Sequence, residues 1–231
     1  MKKRRLALIT MNSAIPLWIA CSAFAQQPAG GPPLFFKEVW KAPSDVEHPA
    51  AQDSVDSPNL ELKLYGDAPG GQKPDHGIWI VKHNPPLIEP AHVWTGQCAQ
   101  SCAFALRDKN NFVDLTGTAK VRFEYKEAGF HMVRPIIKLA DGTWLAGDHA
   151  EGISSDWHVA EISFADVRWR KIDIKKVIEA PDGKWIDRPD LSKVDEIGFT
   201  DLMAGSGHGP GGWTDIGAIE VYGKPVKRDS L

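Results

Sequence analysis

Thr118-Ala119-Lys120-Val121-Arg122-Phe123-Glu124-Tyr125-Lys126 is the stretch that decides the fold class. Ala119, Val121, Phe123 and Tyr125 share one parity, and Lys120, Arg122, Glu124 and Lys126 share the other. That period of two is what a strand needs when one face is buried and the other is wet. Toward the C-terminus, residues 133–139 read as a second strand, and Pro135 points to an edge or a bulge there. Asp141-Gly142 is a tight hairpin turn leading into Thr143-Trp144-Leu145. Residues 157–164 alternate again, with His158, Ala160, Ile162 and Phe164 on one side. Strands over 167–174 and 194–199 follow, and one over 216–222 closes the series. Toward the N-terminus, residues 60–65 and 77–81 are shorter alternating runs, cut apart by Pro and Gly. Helical periodicity is confined to 174–179, which holds one short helix at most. Many short strands with turn signals between them predict an all-β protein, an antiparallel sandwich with long loops.

The chain has 231 residues, 42% of them apolar and 25% charged, enough apolar mass for a core. Its first 25 residues read as an export signal. Lys2, Lys3, Arg4 and Arg5 precede an apolar run over 6–20, and Ala23-Phe24-Ala25 has the small-x-small form of a cleavage site. The run is broken by Asn12, Ser13 and Pro16 and is too short to span a bilayer, so no stable membrane anchor is expected. The expected location is periplasmic or extracellular after cleavage near Ala25. Removing residues 1–25 takes away four basic groups and no acids, leaving 23 basic against 30 acidic side chains, a formal charge of −7. That balance argues against nucleic acid and anionic membranes, which demand a basic footprint.

Residues 26–58 are rich in Pro, Ala, Gly, Asp and Ser and read as a disordered or loosely ordered leader. A single sandwich domain is expected over 59–225. Cys21 leaves with the signal, so Cys98 and Cys102 remain, and two cysteines in an oxidising compartment are expected to pair as a structural disulfide.

The order of features over 112–223 resembles the jelly-roll sandwich of the galactose-binding-like superfamily, with carbohydrate-binding modules and the complex I intermediate-associated protein 30 type of domain as relatives. The stretches that carry the resemblance are Phe112-Val113-Asp114-Leu115-Thr116-Gly117, Trp157-His158-Val159-Ala160-Glu161-Ile162 and Asp190-Leu191-Ser192-Lys193-Val194-Asp195-Glu196-Ile197-Gly198-Phe199, followed by Ile219-Glu220-Val221-Tyr222. The resemblance implies a carbohydrate ligand and allows one structural calcium near the terminal strand, with Glu220 as its candidate ligand. Fold alone does not assign that function.

Sugars stack their apolar C–H faces on aromatic rings while planar polar groups fix the hydroxyls. Eight tryptophans remain after residue 25, and Trp144, Trp157, Trp185 and Trp213 fall at turns or strand ends. The glycine-rich stretch 200–214 holds His208 and Trp213, and the stretch 141–158 holds Trp144, Asp148, His149 and Trp157, with Arg134 just before it. Trp144, Trp157, Trp213, His208, Arg134 and Asp148 are therefore the candidate ligand-binding residues. No nucleophile elbow, phosphate loop or zinc-protease motif is present. Were the chain an enzyme, Asp148, His149, Asp201, His208 and Arg134 would be the acid/base candidates. Three readings stay open: a secreted non-catalytic carbohydrate binder, which is preferred; a polysaccharide-active hydrolase or lyase; and an exported assembly protein with a protein partner.

Overall fold

The computed structural model describes residues 30–69, 77–82, 89–129, 131–154, 156–201 and 212–228, apart from the side chains of Gly96, Gln97 and Asp201. Seventeen strands run through it. They are β1 (Leu34–Glu38), β2 (Glu47–Pro49), β3 (Leu60–Gly66), β4 (Gly77–Val81), β5 (His92–Gln97), β6 (Cys102–Asp108), β7 (Asn111–Asp114), β8 (Lys120–Gly129) and β9 (Arg134–Leu139). The second half supplies β10 (Trp144–Gly147), β11 (His158–Ser163), β12 (Trp169–Asp173), β13 (Ile178–Glu179), β14 (Trp185–Ile186), β15 (Val194–Asp201), β16 (Gly212–Tyr222) and β17 (Lys224–Lys227). One 3-10 turn, Gln52–Ser54, is the only helical element among the described residues.

The strands form two antiparallel sheets, a jelly-roll sandwich. Sheet A runs in the order β11-β8-β16-β5-β4-β2, with β1 beside the C-terminal half of β16. Sheet B runs β13-β12-β10-β9-β15-β6-β3, with β14 on β12 and the β7–β17 pair at β15. The parity read in 118–126 is the parity of sheet A: Val121 and Phe123 are fully buried, while Arg122 is exposed. Phe123 packs on Phe199 of sheet B at 4.5 Å between ring centroids, Phe199 on Phe104 at 5.9 Å, and Phe104 edge-on against Trp40 at 5.6 Å. Each such ring removes well over 100 Å² of apolar surface from water, worth about 2–3 kcal/mol.

The stretch 34–58 departs from its expected looseness. Strand β1 pairs with Ile219–Tyr222 of β16, and β2 pairs with β4. Glu38 is the physical reason. Its carboxylate is fully buried and accepts hydrogen bonds from the backbone amides of Trp40 (3.0 Å), Asp56 (2.7 Å) and Ser57 (3.1 Å). Trp40 adopts a φ of 49° and its indole N–H donates to the Gly217 carbonyl at 2.9 Å. One acid thus ties a polar, proline-rich stretch to the core, a tertiary contact that composition does not reveal.

Three smaller expectations also change. Strand β9 is interior, between β10 and β15, and Pro135 is accommodated because it is only the second residue of the strand. Residues 174–179 form turns and the short β13 instead of a helix, because Val177, at a φ of 53°, is drawn into a buried site against Gly66. The chain continues past residue 222 into β17, which pairs with β7.

Cys98 and Cys102 are disulfide-bonded, joining the end of β5 in sheet A to the start of β6 in sheet B. A five-residue closed loop is worth about 2 kcal/mol in the chain-entropy account.

Candidate functional site

On sheet A the residues of wet-face parity are not simply charged. Cross-strand register places Trp79 opposite Trp94, Trp94 opposite Asp215, and Asp215 opposite Lys126. This row crosses β4, β5, β16 and β8, which at roughly 4.8 Å per strand is about 14 Å. Trp213 lies on the same face two residues before Asp215, and His92 two residues before Trp94. Trp157, from the turn before β11, closes over this region edge-on to His92, with centroids 5.1 Å apart. Trp79, Trp94, Trp157 and Trp213 are all half-buried.

The alternation explains why these side chains converge. Ile78, Ile80, Val93, Thr214 and Ile216 take the core side of their strands, so Trp79, His92, Trp94, Trp213 and Asp215 must take the other. A β-bulge between Ile216 and Ile219 re-aims β16 beside Trp157, where Gly217 leaves room for the indole ring.

Asp215 is the electrostatic centre. It is 5% exposed, and burial together with the nearby Glu89 carboxylate pushes its carboxyl up to about 8, against the opposing pull of Lys126. Lys126 is paired with Glu89 at 2.8 Å, and its Nζ lies 5.7 Å from the Trp213 ring centroid. His92 Nε2 stands 3.6 Å from Asp215 Oδ1, while its Nδ1 is 2.8 Å from the Pro90 carbonyl. Asp215 Oδ1, Trp79 Nε1 and Trp157 Nε1 are buried with no hydrogen-bond partner among the described residues. Buried polar atoms are normally satisfied, so three on one face are a deficit that a polyhydroxylated ligand could fill.

The residues expected from sequence are distributed over separate places. Trp157 and Trp213 lie on this face. Trp144 does not: it is 8% exposed, on an interior strand of sheet B, edge-on to Tyr65 at 4.9 Å. Burial between β9 and β12 removes it as a stacking platform. Arg134, Asp148 and His149 come together elsewhere. Arg134 donates to the Asp148 carbonyl at 3.0 Å, and His149 Nδ1 lies 3.0 Å from Asp148 Oδ1. Burial raises the Asp148 carboxyl, but hydrogen bonds from His149 and the Arg168 amide outweigh it and hold it below the usual carboxylate value. Asp201 ends β15 opposite Cys102, and His208 lies outside the described residues.

Glu220, the calcium candidate, is surrounded by donors and cations: Lys37 at 2.8 Å, Arg122 at 3.1 Å and the Tyr222 hydroxyl at 2.8 Å. Lys37 first, then Tyr222 and Arg122, draw its carboxyl down to about 2. Both oxygens are engaged by these donors. Among the described residues no three His, Cys, Asp or Glu side chains cluster to hold a metal.

Missed from sequence were Trp79, Trp94, His92, Lys126 and Asp215. The available signal was parity: an aromatic or imidazole on the polar side of a strand, as in Ile78-Trp79-Ile80 and His92-Val93-Trp94-Thr95.

No protein-family model and no curated protein matches the sequence. Solved structures of similar architecture are found. One is the family 11 carbohydrate-binding module from Clostridium thermocellum in complex with a β-1,3-1,4-mixed-linked tetrasaccharide, at a TM-score of 0.44 and 16% identity over 79% of this chain and 98% of that one. Another is a family 29 carbohydrate-binding module complexed with mannohexaose, at a TM-score of 0.42 and 10% identity over 81% and 92%. A third is TmCBM61 in complex with β-1,4-galactotriose, at a TM-score of 0.36 and 14% identity over 71% and 88%.

Proposed function

We propose that this chain is an exported, non-catalytic carbohydrate-binding protein that holds a stretch of poly- or oligosaccharide on the outer face of sheet A. The observation that carries this reading is the row of half-buried tryptophans around buried polar atoms that lack partners among the described residues. Trp79 and Trp213 would stack sugar rings, and the ligand's hydroxyls would satisfy Asp215 Oδ1 and the Trp157 indole N–H. The export signal supplies the setting in which such polymers are met.

The test is calorimetric titration of the protein lacking residues 1–25 against a panel of soluble polysaccharides, with product analysis on the same samples. Saturable binding is expected with no new chain ends, and Trp213→Ala should weaken it by about 2 kcal/mol, roughly thirtyfold. Unchanged affinity in Trp79→Ala and Trp213→Ala would remove sheet A from consideration. A second reading, a polysaccharide-active hydrolase or lyase, draws on one observation. An acid that keeps its proton near neutral pH, as Asp215 does beside His92, is what general-acid catalysis uses. Released oligosaccharides that disappear in Asp215→Asn would favour it over the binder.

A further inference from the structure

Away from the aromatic face, on the opposite sheet, a groove of ≈ 550 Å³ runs between the turn that follows β11 and the segment from β14 to Leu191. Its volume falls within the range of about 300–1,000 Å³ usual for small-ligand sites. Trp185, 40% exposed, stands between this groove and a smaller one of ≈ 270 Å³ that contains Arg134, Asp148 and Arg170. Strand pairing sets Trp185 opposite Arg170, and the guanidinium carbons of Arg168 and Arg170 lie 4.5 and 4.7 Å from its ring centroid.

The two arginines differ in what their N–H groups do. Arg170 is committed to Glu179 at 2.7 Å and to the Gly183 carbonyl at 3.0 Å. Arg168 pairs with no carboxylate among the described residues; the indole ring is the contact of its guanidinium. Stacking on an aromatic face fixes the plane of a guanidinium while leaving its N–H edge free, the arrangement suited to a bidentate carboxylate. Across the groove Arg188 is likewise without an ion pair among the described residues, on a backbone held at a φ of 48°. Exposed Asp166 and Asp187 complete the polar walls and offer acceptors for hydroxyl donors.

We infer that this groove is a second, separate binding site, for an acidic sugar of the uronic acid class. The carboxylate of such a sugar answers Arg168 and Arg188, and its hydroxyl groups answer Asp166 and Asp187. A neutral sugar leaves the guanidinium forks unanswered, and a simple dianion meets the two aspartates.

The experiment compares galacturonic acid trisaccharide with its carboxyl-reduced counterpart, galactotriose, by calorimetric titration at low and moderate salt. The acidic trisaccharide should bind at least tenfold more tightly, with affinity falling as salt rises. Arg168→Gln and Arg188→Gln should each cost it about tenfold, with unchanged unfolding midpoints, while Trp213→Ala leaves it untouched. Equal binding of the two trisaccharides, or acid binding that survives both arginine variants, overturns the assignment. Loss of acid binding in Trp213→Ala instead would place it on sheet A, so the two sites are tested independently.

Discussion

Asp215→Asn should make the fold more stable at alkaline pH and change it little near pH 4. The carboxyl titrates near 8 in the folded protein, raised by burial and by Glu89 against Lys126, and near 3.9 in an unfolded chain. Between these values the folded state holds a proton that the unfolded state has released. Stability therefore falls as pH rises from about 4 to about 8, at a limiting slope near 1.4 kcal/mol per pH unit, and levels off above. Across pH 5 to 8 the loss amounts to about 3 kcal/mol for this one group. Asparagine keeps the shape of the protonated acid and cannot ionise, so the variant escapes that loss.

The assay is urea unfolding followed by tryptophan fluorescence, at constant ionic strength, for both proteins at pH 5, 6, 7 and 8. Comparing the two proteins cancels the titrating groups remote from Asp215, while His92, Glu89 and Lys126, which face it, titrate together with it and belong to the measured difference. The variant's advantage should grow by about 3 kcal/mol from pH 5 to pH 8, with similar denaturant slopes in the two proteins. A difference that does not vary with pH, or a variant less stable at pH 8, would refute the reasoning, because Asp215 would then be ionised in the fold.

Other parts of the structure make simpler demands. Replacing Cys98 and Cys102 by serine should cost about 2 kcal/mol, lowering the thermal midpoint by roughly 4–8 °C, readable by calorimetry under non-reducing conditions. Asp195 is pulled up by burial but held below its usual value by Arg107 (2.9 Å), Lys138 (3.0 Å) and Arg228 (2.5 Å). Its contribution is present above the unfolded value near 3.9 and is lost as pH falls through the folded one. Asp195→Asn should therefore cost about 2 kcal/mol at pH 7, a cost that shrinks as acid protonates the wild-type carboxylate, as acid titration of both proteins would register. Gly198→Ala should destabilise by about 2–3 kcal/mol in the same unfolding assay, since its Cβ would press on the Phe104 carbonyl and, at 2.6 Å, on the Ala105 Cα.

How much of this could be read beforehand depended on whether the signal was local. Residues 118–126 announced their strand because its two faces differ in polarity along nine consecutive positions. Residues 34–58 did not announce theirs, because β1 is anchored by Glu38 and by a partner more than a hundred residues away, and β2 by a strand that follows only after β3. The site followed the same division. Trp157 and Trp213 stood out as tryptophans in loop-like surroundings, whereas Asp215 is one of 30 acids and becomes unusual only through what surrounds it. Trp144 misled for the converse reason. It follows an Asp141-Gly142 turn, which suggested exposure, but a strand's depth within its sheet depends on pairing that sequence spacing does not encode.

The burial of Trp144 also bears on where the proposed binding face lies. In sheet B three strands lie between β3 and β10, so Tyr65 and Trp144 start from backbones about 19 Å apart if the sheet is flat. Their rings nevertheless meet at 4.9 Å. Sheet B must curl around its outer surface, and the hollow so made is filled from within by Tyr65, Trp144, Ile136 and Ile172, with Val177 folded down beside them. Lys138 and Tyr65 also donate to Glu196 beside it, at 2.8 and 2.5 Å, closing the polar flank. Apolar surface there is already removed from water, so a ligand gains nothing by covering it. Sheet A retains the opposite condition. Its tryptophans are half-buried and three buried polar atoms on that face lack partners among the described residues, so a ligand seated there would gain both the stacking and the hydrogen bonds left unmade.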